Sequence, residues 1–362
     1  MSKVLILGNS DLVVYNFRLE LVERLLSDGH QVVICSPYGE RIDDLTALGC
    51  EFINIQISRH GTNPIKELKL LKEYKKIIKS VKPDMVFTYT IKPNIYGALA
   101  CKKFNIPCVA NITGLGTAVE NGGLVQKITV LLYKIAFTKI KKVFFQNSEN
   151  MQFFIDKKIA LSKHDLLPGS GVNLERFSPL KYPSNETVEF AFISRIMKEK
   201  GIDQYLDSAK AIKQKYPNTV FHVCGFFEQE YKQIIDDLVS QGIIVYHGMV
   251  RDVRTVLKDI HCTIHPTYYP EGIANVLLES SACARPIITT DRSGCREVLE
   301  DGKNGFVVKM KDSGDLIEKI EKFIALPYEE KVQMGLAGRK KVESEFDRQI
   351  VVEKYMAELN SL

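Results

Sequence analysis

Short apolar runs rich in Val, Ile and Phe alternate along this chain with stretches whose apolar residues recur every three or four positions. KVLILG (3–8), QVVICSP (31–37), EFINIQI (51–57), DMVFTYT (84–90), PCVANIT (107–113) and KVFFQN (142–147) read as strands, and segments such as 17–27, 65–80 and 94–104 read as the helices between them. The alternation lapses over LLPGSGVNLERFSPLKYPSNETV (166–188), where Pro, Gly and Ser cluster. It resumes with VEFAFISR (188–195), TVFHVCG (219–225), IIVYHG (243–248), CTIHPT (262–267), PIITTD (286–291) and GFVVK (305–309). The double series predicts an α/β fold of two doubly wound, Rossmann-like domains facing a central cleft, each turning the C-terminal ends of its parallel strands toward it.

The length of 362 residues suits two cores rather than one. An apolar fraction of 45%, 26% charged residues and no low-complexity tract or internal repeat indicate a soluble globular protein. The opening MSKVLILGNSDLVVYNF lacks a charged n-region, a long apolar h-region and a small-residue cleavage site, and no run of 18 apolar residues occurs, so neither secretion by that signal nor a bilayer span is expected. Eight cysteines stand far apart without CxxC spacing, mostly inside apolar strands or helices, as reduced core thiols of a cytosolic protein would. Dinucleotide binding is disfavoured: the first strand leads into GNSDLV rather than G-x-G-x-x-G, and the second ends in CSPYGE without an acidic residue at its tip.

Charge is unevenly placed. Residues 1–170 carry 23 basic and 15 acidic side chains, a balance of +8, whereas residues 171–362 carry 26 and 29, a balance of −3. KELKLLKEYKKIIKSVK (66–82) has helical spacing with lysines on much of its circumference, and in LVQKITVLLYKIAFTKIKKVFF (124–145) Val125, Ile128, Leu132, Ile135 and Ala136 recur at helical intervals beside Lys127, Lys134, Lys139, Lys141 and Lys142. A solvated helix face accounts for the first run; together the two point to peripheral contact with an anionic membrane or a phosphate-bearing partner. Nucleic acid is disfavoured by the absence of interleaved aromatic and basic residues and by the acidic second half.

HPTYYPEGIANVLLE (265–279) holds the most informative chemistry. A strand ending at Pro266, a loop over 268–272 and a helix from about Ile273 to Cys283 would place Glu271 just outside the helix and Glu279 about two turns in. A helix N-terminus offers free N–H groups and a positive dipole end, which suit a diphosphate. A carboxylate beside a phosphate repels it, so Glu271 and Glu279 make sense as acceptors from neutral hydroxyls. A phosphate centre flanked by two polyols is a nucleotide-sugar. ISRIMKEKGID (193–203) supplies the cations, with Arg195 directly after a strand and Lys200 where the next helix begins. Lys92 and Asn94 fall at the tip of the fourth strand, where acceptor binding or a simple turn accounts for them equally.

These segments resemble the retaining glycosyltransferases of the two-domain B-type fold known as family 4. The likeness runs over most of residues 188–312: SRIMKEKG (194–201), YHGMVRDV (246–253) and YYPEGIANVLLESSACARPIITTDRSGCREVLEDGKNGFVV (268–308). YNFRLEL (15–21), TYTIKPNIYG (88–97) and ITGLG (112–116) more loosely resemble members that extend undecaprenyl-diphosphate-linked glycans in bacterial capsule, O-antigen or glycoprotein pathways. The resemblance implies an acceptor-binding domain over 1–166, a donor-binding domain over 167–345 and a helix over 346–362 that returns to the first domain. It implies a UDP-hexose or UDP-N-acetylhexosamine donor, a lipid-linked glycan acceptor, and action on the cytoplasmic face of the bacterial plasma membrane. Glu271 would bind donor-sugar hydroxyls and Glu279 the ribose. Backbone N–H groups of Gly272, Ile273 and Ala274 would lie near the diphosphate, with Arg195 and Lys200 neutralising its charge so that no metal or other cofactor is needed. Val250 would contact the base, Gly8 would let the first loop approach donor or acceptor, and Arg18 would bind acceptor phosphate. In such enzymes the departing phosphate takes the acceptor's proton on the same face, so no general base is assigned.

The chain departs from the family pattern at four places. Thr113-Gly114 stands where many members have His-Gly touching the donor sugar, which leaves that contact unassigned. Ser194 and Ala284 replace small glycines, and Ala274 replaces a common proline. His265 reads as a strand-end structural group. His261 and His265 are the only histidines close in sequence, and they span a strand, so a metal site is not expected. A non-catalytic scaffold that keeps the nucleotide-sugar cleft, or a UDP-sugar epimerase on the same fold, would share these motifs.

Overall fold

In the computed structural model, which describes residues 1–58, 63–120, 122–184 and 186–362, every apolar run named above forms a strand of a parallel sheet. Residue 185, within the Pro-Gly-Ser stretch, lies outside the described residues. The chain divides into two units, one comprising Met1–Gly171, Glu271–Ile273 and Arg348–Leu362, the other Val172–Pro270 and Ala274–Asp347.

The first unit contains β1 (Lys3–Leu7), β2 (Gln31–Ser36), β3 (Glu51–Asn54), β4 (Met85–Tyr89), β5 (Cys108–Ile112), β6 (Lys142–Phe145) and β7 (His164–Leu166), in the order β3-β2-β1-β4-β5-β6-β7. Strand β7 escaped sequence reading because His-Asp-Leu is short and mostly polar. Both faces of the sheet are covered, which explains why its strands read as continuous apolar runs. Leu5, Leu7 and Val33 pack on one side with Tyr74 and Phe154, and Val4, Ile6 and Ile34 pack on the other with Val22 and Tyr355. The first helix begins at Asp11, six residues earlier than its periodicity suggested, and a wide π turn at Pro93–Gly97 precedes the helix Ala98–Phe104.

Residues Arg348–Leu362 complete this unit. Tyr355 sets its ring 4.9 Å from Phe87 and 5.0 Å from Phe144, and its hydroxyl accepts from Asn111 Nδ2 at 2.9 Å. Arg348 donates to the carboxylate of Glu20 at 2.9 Å and to the Gly171 carbonyl at 3.0 Å. Gly171 has φ +66°, and a Cβ there would fall 2.5 Å from Arg348 Cα, so only glycine lets the backbone pass so closely.

The second unit contains β8 (Val188–Ile193), β9 (Thr219–Cys224), β10 (Val245–Gly248), β11 (Cys262–His265), β12 (Ile287–Thr290) and β13 (Gly305–Val308), in the order β10-β9-β8-β11-β12-β13. Its core joins Phe190, Phe192 and Phe221 to Tyr205, Ile235 and Phe323. Arg285 is fully buried yet donates to the carbonyls of Leu180, Lys181, Leu257, Lys258 and Cys283, which satisfies its charge with backbone dipoles.

All eight cysteines are buried free thiols, and burial pushes Cys35 and Cys224 up to about 12. Among the described residues no helix is long and apolar enough to cross a membrane.

Candidate active site

In each sheet the strand order reverses once, between β1 and β4 in the first unit and between β8 and β11 in the second. Chains leaving such a pair of strands lead to opposite faces of the sheet, and ligands bind at the strand ends there. After β8 comes Ser194-Arg195, then a tight turn Lys198–Lys200, then Gly201 at φ +79° opening the helix Ile202–Lys215. After β11 come Pro266 to Pro270.

These two loops are fastened together. Tyr268 N–H donates to the Glu199 carbonyl at 2.9 Å, and Thr267 Oγ1 donates to the same oxygen at 3.3 Å. A Cβ on Gly201 would lie 2.1 Å from the Pro266 carbonyl oxygen. Lys200, with 6% of its surface exposed, and the half-exposed Arg195 both lie over the ring of Tyr269, with Lys200 Nζ 5.1 Å and Arg195 Cζ 5.2 Å from its centroid. Glu228 faces Arg195 at 3.6 Å. The structure therefore brings the two sequence-predicted cations together and adds Tyr269, whose partners no periodicity reveals.

The helix after the second loop is shorter than expected, Asn275–Ala282, so Glu279 is half-buried one turn inside it rather than two. Its first residues follow Ala274, whose side chain has no oxygen to cap them. The Ala274 N–H is itself taken by the Gly294 carbonyl at 2.9 Å, so of the three N–H groups expected near the diphosphate this one is already used. Glu297 closes the Ser293-Gly294 turn by accepting from Gly294 N–H at 2.7 Å, so it holds the carbonyl that Ala274 uses. Val250 follows β10, whose Gly248 carbonyl accepts from Gly225 N–H at 2.7 Å.

Glu271, Gly272 and Ile273 belong to the first unit. Asn147 Nδ2 donates to the Gly272 carbonyl at 2.6 Å and to the Glu271 carbonyl at 3.1 Å, while Asn147 Oδ1 accepts from Asn150 N–H and caps the helix Ser148–Asp156. A Cβ on Gly272 would lie 2.1 Å from Gln146 Oε1 and 2.8 Å from the Thr113 carbonyl. Thr113 and Gly114, the latter at φ +136°, thus lie beside Gly272, and the buried Ile273 packs where a Cβ on Gly169 would intrude. Asn147 and Gln146 were missed by sequence reading. The S/N-rich turn after β6 marks a cap but not a second partner.

Other assignments for this unit divide. Gly8 ends β1 and donates to the Cys35 carbonyl at 3.1 Å. Arg18 is only 2% exposed, donates to the Phe17 carbonyl, and stacks 4.7 Å from the Tyr89 centroid. Buried against Tyr89, it is not presented to an acceptor phosphate, contrary to what the resemblance implied. Asn94 is likewise buried, with Oδ1 accepting from Thr88 Oγ1 and Nδ2 donating to the Asn111 carbonyl, so it braces β4 and β5 instead of meeting an acceptor. Lys92 pairs with Glu67 on the rim of a cavity of about 390 Å³ also lined by Lys66, Lys69 and Ser58.

His265 is buried at the end of β11. Proximity of histidines arises elsewhere: His222 on β9 and His247 on β10 approach to 2.9 Å, with Glu189 bonded to the far nitrogen of His222 at 2.7 Å. The pairing register of β9 and β10 creates that contact, and sequence separation hides it. Among the described residues no group of three or more His, Cys, Asp or Glu side chains could hold a metal ion.

Two family patterns match the chain, "Glycosyl transferases group 1" over residues 176–341 and "Glycosyl transferase 4-like" over residues 3–147. The chain is a glycosyl transferase, built of a 4-like domain followed by a group 1 domain. This glycosyl transferase is 26% identical over 368 residues to the N,N'-diacetylbacillosaminyl-diphospho-undecaprenol alpha-1,3-N-acetylgalactosaminyltransferase of Campylobacter jejuni subsp. jejuni, with 97% of this chain and 96% of that protein covered. It is 26% identical over 320 residues to the capsular polysaccharide biosynthesis glycosyltransferase CapM of Staphylococcus aureus, covering 82% and 83% of the two chains. Among solved structures, Anabaena Alr3699/HepE in complex with UDP and glucose superimposes with a TM-score of 0.82 at 15% identity over 100% of both chains. The glycosyl transferase therefore has the two-domain B-type fold, as the resemblance of its motifs implied.

Proposed function

We propose that this glycosyltransferase moves a hexose or N-acetylhexosamine from a UDP-sugar to a lipid-diphosphate-linked glycan in bacterial surface polysaccharide or glycoprotein glycan assembly, with retention at the anomeric carbon and without a metal. The convergence of Arg195 and Lys200 over the Tyr269 ring, on loops that follow neighbouring strands at the switch point, carries this reading. Two fixed cations stabilise the negative charge that gathers on the diphosphate as the sugar–oxygen bond breaks. Glu271 accepts from donor-sugar hydroxyls and Glu279 from the ribose, with the backbone of Gly272 and Ile273 near the phosphates. Val250 meets the base, and Thr113-Gly114 borders the sugar. The leaving phosphate oxygen takes the acceptor hydroxyl's proton on the face where the new bond forms, so no protein base is required. Gly8 leaves room at the end of β1, and Lys92 attracts the acceptor's phosphates.

The acceptor is anchored in a membrane, and the first unit is equipped to meet one at the cytoplasmic face. Leu124, Val125, Ile128, Leu131 and Ile135 are exposed along the helix Gly123–Ala136, and residues 121–148 contain five lysines and no acid.

The test is transfer from UDP-Gal, UDP-Glc, UDP-GalNAc or UDP-GlcNAc to an undecaprenyl-diphosphate-linked acceptor in EDTA, with the product's anomeric configuration read by NMR. An α-linked product formed in EDTA is expected. Failure with all four donors would sink the donor class, an inverted product the stereochemistry, and activity that depends on added metal the cofactor-free reading.

A further inference from the structure

We infer that Tyr269 is a positioning residue for the donor diphosphate, a π surface on which Arg195 and Lys200 are held ready and through which affinity for phosphate, but not for the base, is set. The inference rests on the donor site proposed above.

Three observations support it. Both cationic groups lie within about 6 Å of one ring, the range in which an aromatic quadrupole attracts a cation. Two like charges drawn to the same place repel one another, and a shared ring offsets part of that repulsion before any phosphate arrives. The ring is also fixed in place: Tyr269 N–H donates to Thr267 Oγ1 at 3.1 Å, and Thr267 Oγ1 and Tyr268 N–H both bond the Glu199 carbonyl next to Lys200. Gly201, with no Cβ, lets that turn close against Pro266. Lys200 and the ring thus belong to one stiff piece of backbone. Arg195 also has Glu228 3.6 Å away, an ion pair that adds to the pull of the ring on its guanidinium.

Tyr269 acts here through its ring, which both cations approach. Its hydroxyl has no part in the scheme, so the aromatic surface alone should suffice. Preorganised charge is also what distinguishes this arrangement from two flexible surface cations, which would lose side-chain freedom on meeting a ligand.

The test uses the full chain and three ligands, uridine, UMP and UDP, with Kd measured by calorimetry for wild type, Tyr269→Phe, Tyr269→Leu and Tyr269→Ala. Wild type should bind UDP more tightly than uridine; equal binding, or none, would count against the donor site itself. Tyr269→Phe should match wild type. Tyr269→Leu and Tyr269→Ala should weaken UDP about tenfold while leaving uridine unchanged, as expected when two cation–π contacts of modest strength are lost. Leucine fills the volume and guards against a merely unfolded alanine variant. Wild-type UDP affinity in Tyr269→Leu, equal losses for uridine and UDP, or a Phe variant as weak as Ala would each overturn the inference.

Discussion

Asn147 donates its side-chain amide to the carbonyl of Gly272 at 2.6 Å, and through that bond it holds the backbone that carries Glu271. The same side chain caps the helix Ser148–Asp156 through its oxygen. Asparagine alone does both. Asn147→Ala should lose the cap, at a cost of about 1 kcal/mol, and turnover as well. Asn147→Asp keeps an acceptor for the cap but sets a carboxylate against two carbonyl oxygens. It should lose at least fivefold in kcat/KM, measured beside Tm, and full turnover in both variants would free Asn147 of any part in the site.

Gly201→Ala should break the fastening of the two loops. The added Cβ would meet the Pro266 carbonyl at 2.1 Å, and φ of +79° adds strain of roughly 1 kcal/mol. Backbone must move, and Lys200 with it. The expected result is a lower Tm and a diminished stabilisation by UDP in thermal unfolding. An unchanged UDP shift would mean that Lys200 is placed by something else.

Glu271→Ala and Arg195→Ala should each cut turnover at least tenfold while circular dichroism shows the fold intact, since each removes a charge-assisted contact. Near-normal turnover in both would remove the assignments.

Acid should weaken the second unit through His261. The ring is 1% exposed; Nδ1 accepts from Glu189 N–H at 3.1 Å, and Nε2 donates to the Ser184 carbonyl at 2.9 Å. Protonating Nδ1 would set two N–H groups against each other. Burial, the largest cause, lowers the folded pKa below the ordinary 6.5. The unfolded chain therefore binds the proton first, so this contribution is complete above about pH 6.5 and is lost as pH falls through the lower folded value. Tm measured from pH 7.5 to 5 should fall more steeply in wild type than in His261→Gln, and parallel curves would refute the assignment.

Ile128→Glu with Leu131→Glu should abolish co-flotation with vesicles containing phosphatidylglycerol, while transfer to a short, soluble acceptor persists. Raising salt should weaken the wild-type association, because lysines act at a distance that a Debye length of about 8 Å at physiological salt already limits. Flotation that survives both changes would move the contact to another surface.

Much of this was legible in the sequence because burial on both faces makes a strand's composition continuous. Twelve strands could be read from such runs, whereas His164–Leu166 could not, since its pairing with β6 depends on backbone alone. Arg195, Lys200, Glu271 and Glu279 were visible as charges at loop and helix boundaries. What stayed hidden were facts of partnership: Arg18 lies on the inner face of its helix, where a charge is unexpected, and Asn94 spends both ends of its amide inside the sheet. Tyr269 looks like loop packing until the two loops are seen to share the Glu199 carbonyl.

The place of Tyr355 bears on how the molecule is made. Its ring fills a slot beside Phe87, Tyr89 and Phe144, yet synthesis delivers it after the whole of residues 172–347. A ribosome thus releases the first sheet with one aromatic position vacant, and the opening is sealed only once the other unit has been spelled out in full. Cutting the gene after residue 171 would yield an unfinished domain, because Arg348–Leu362 would be missing from it.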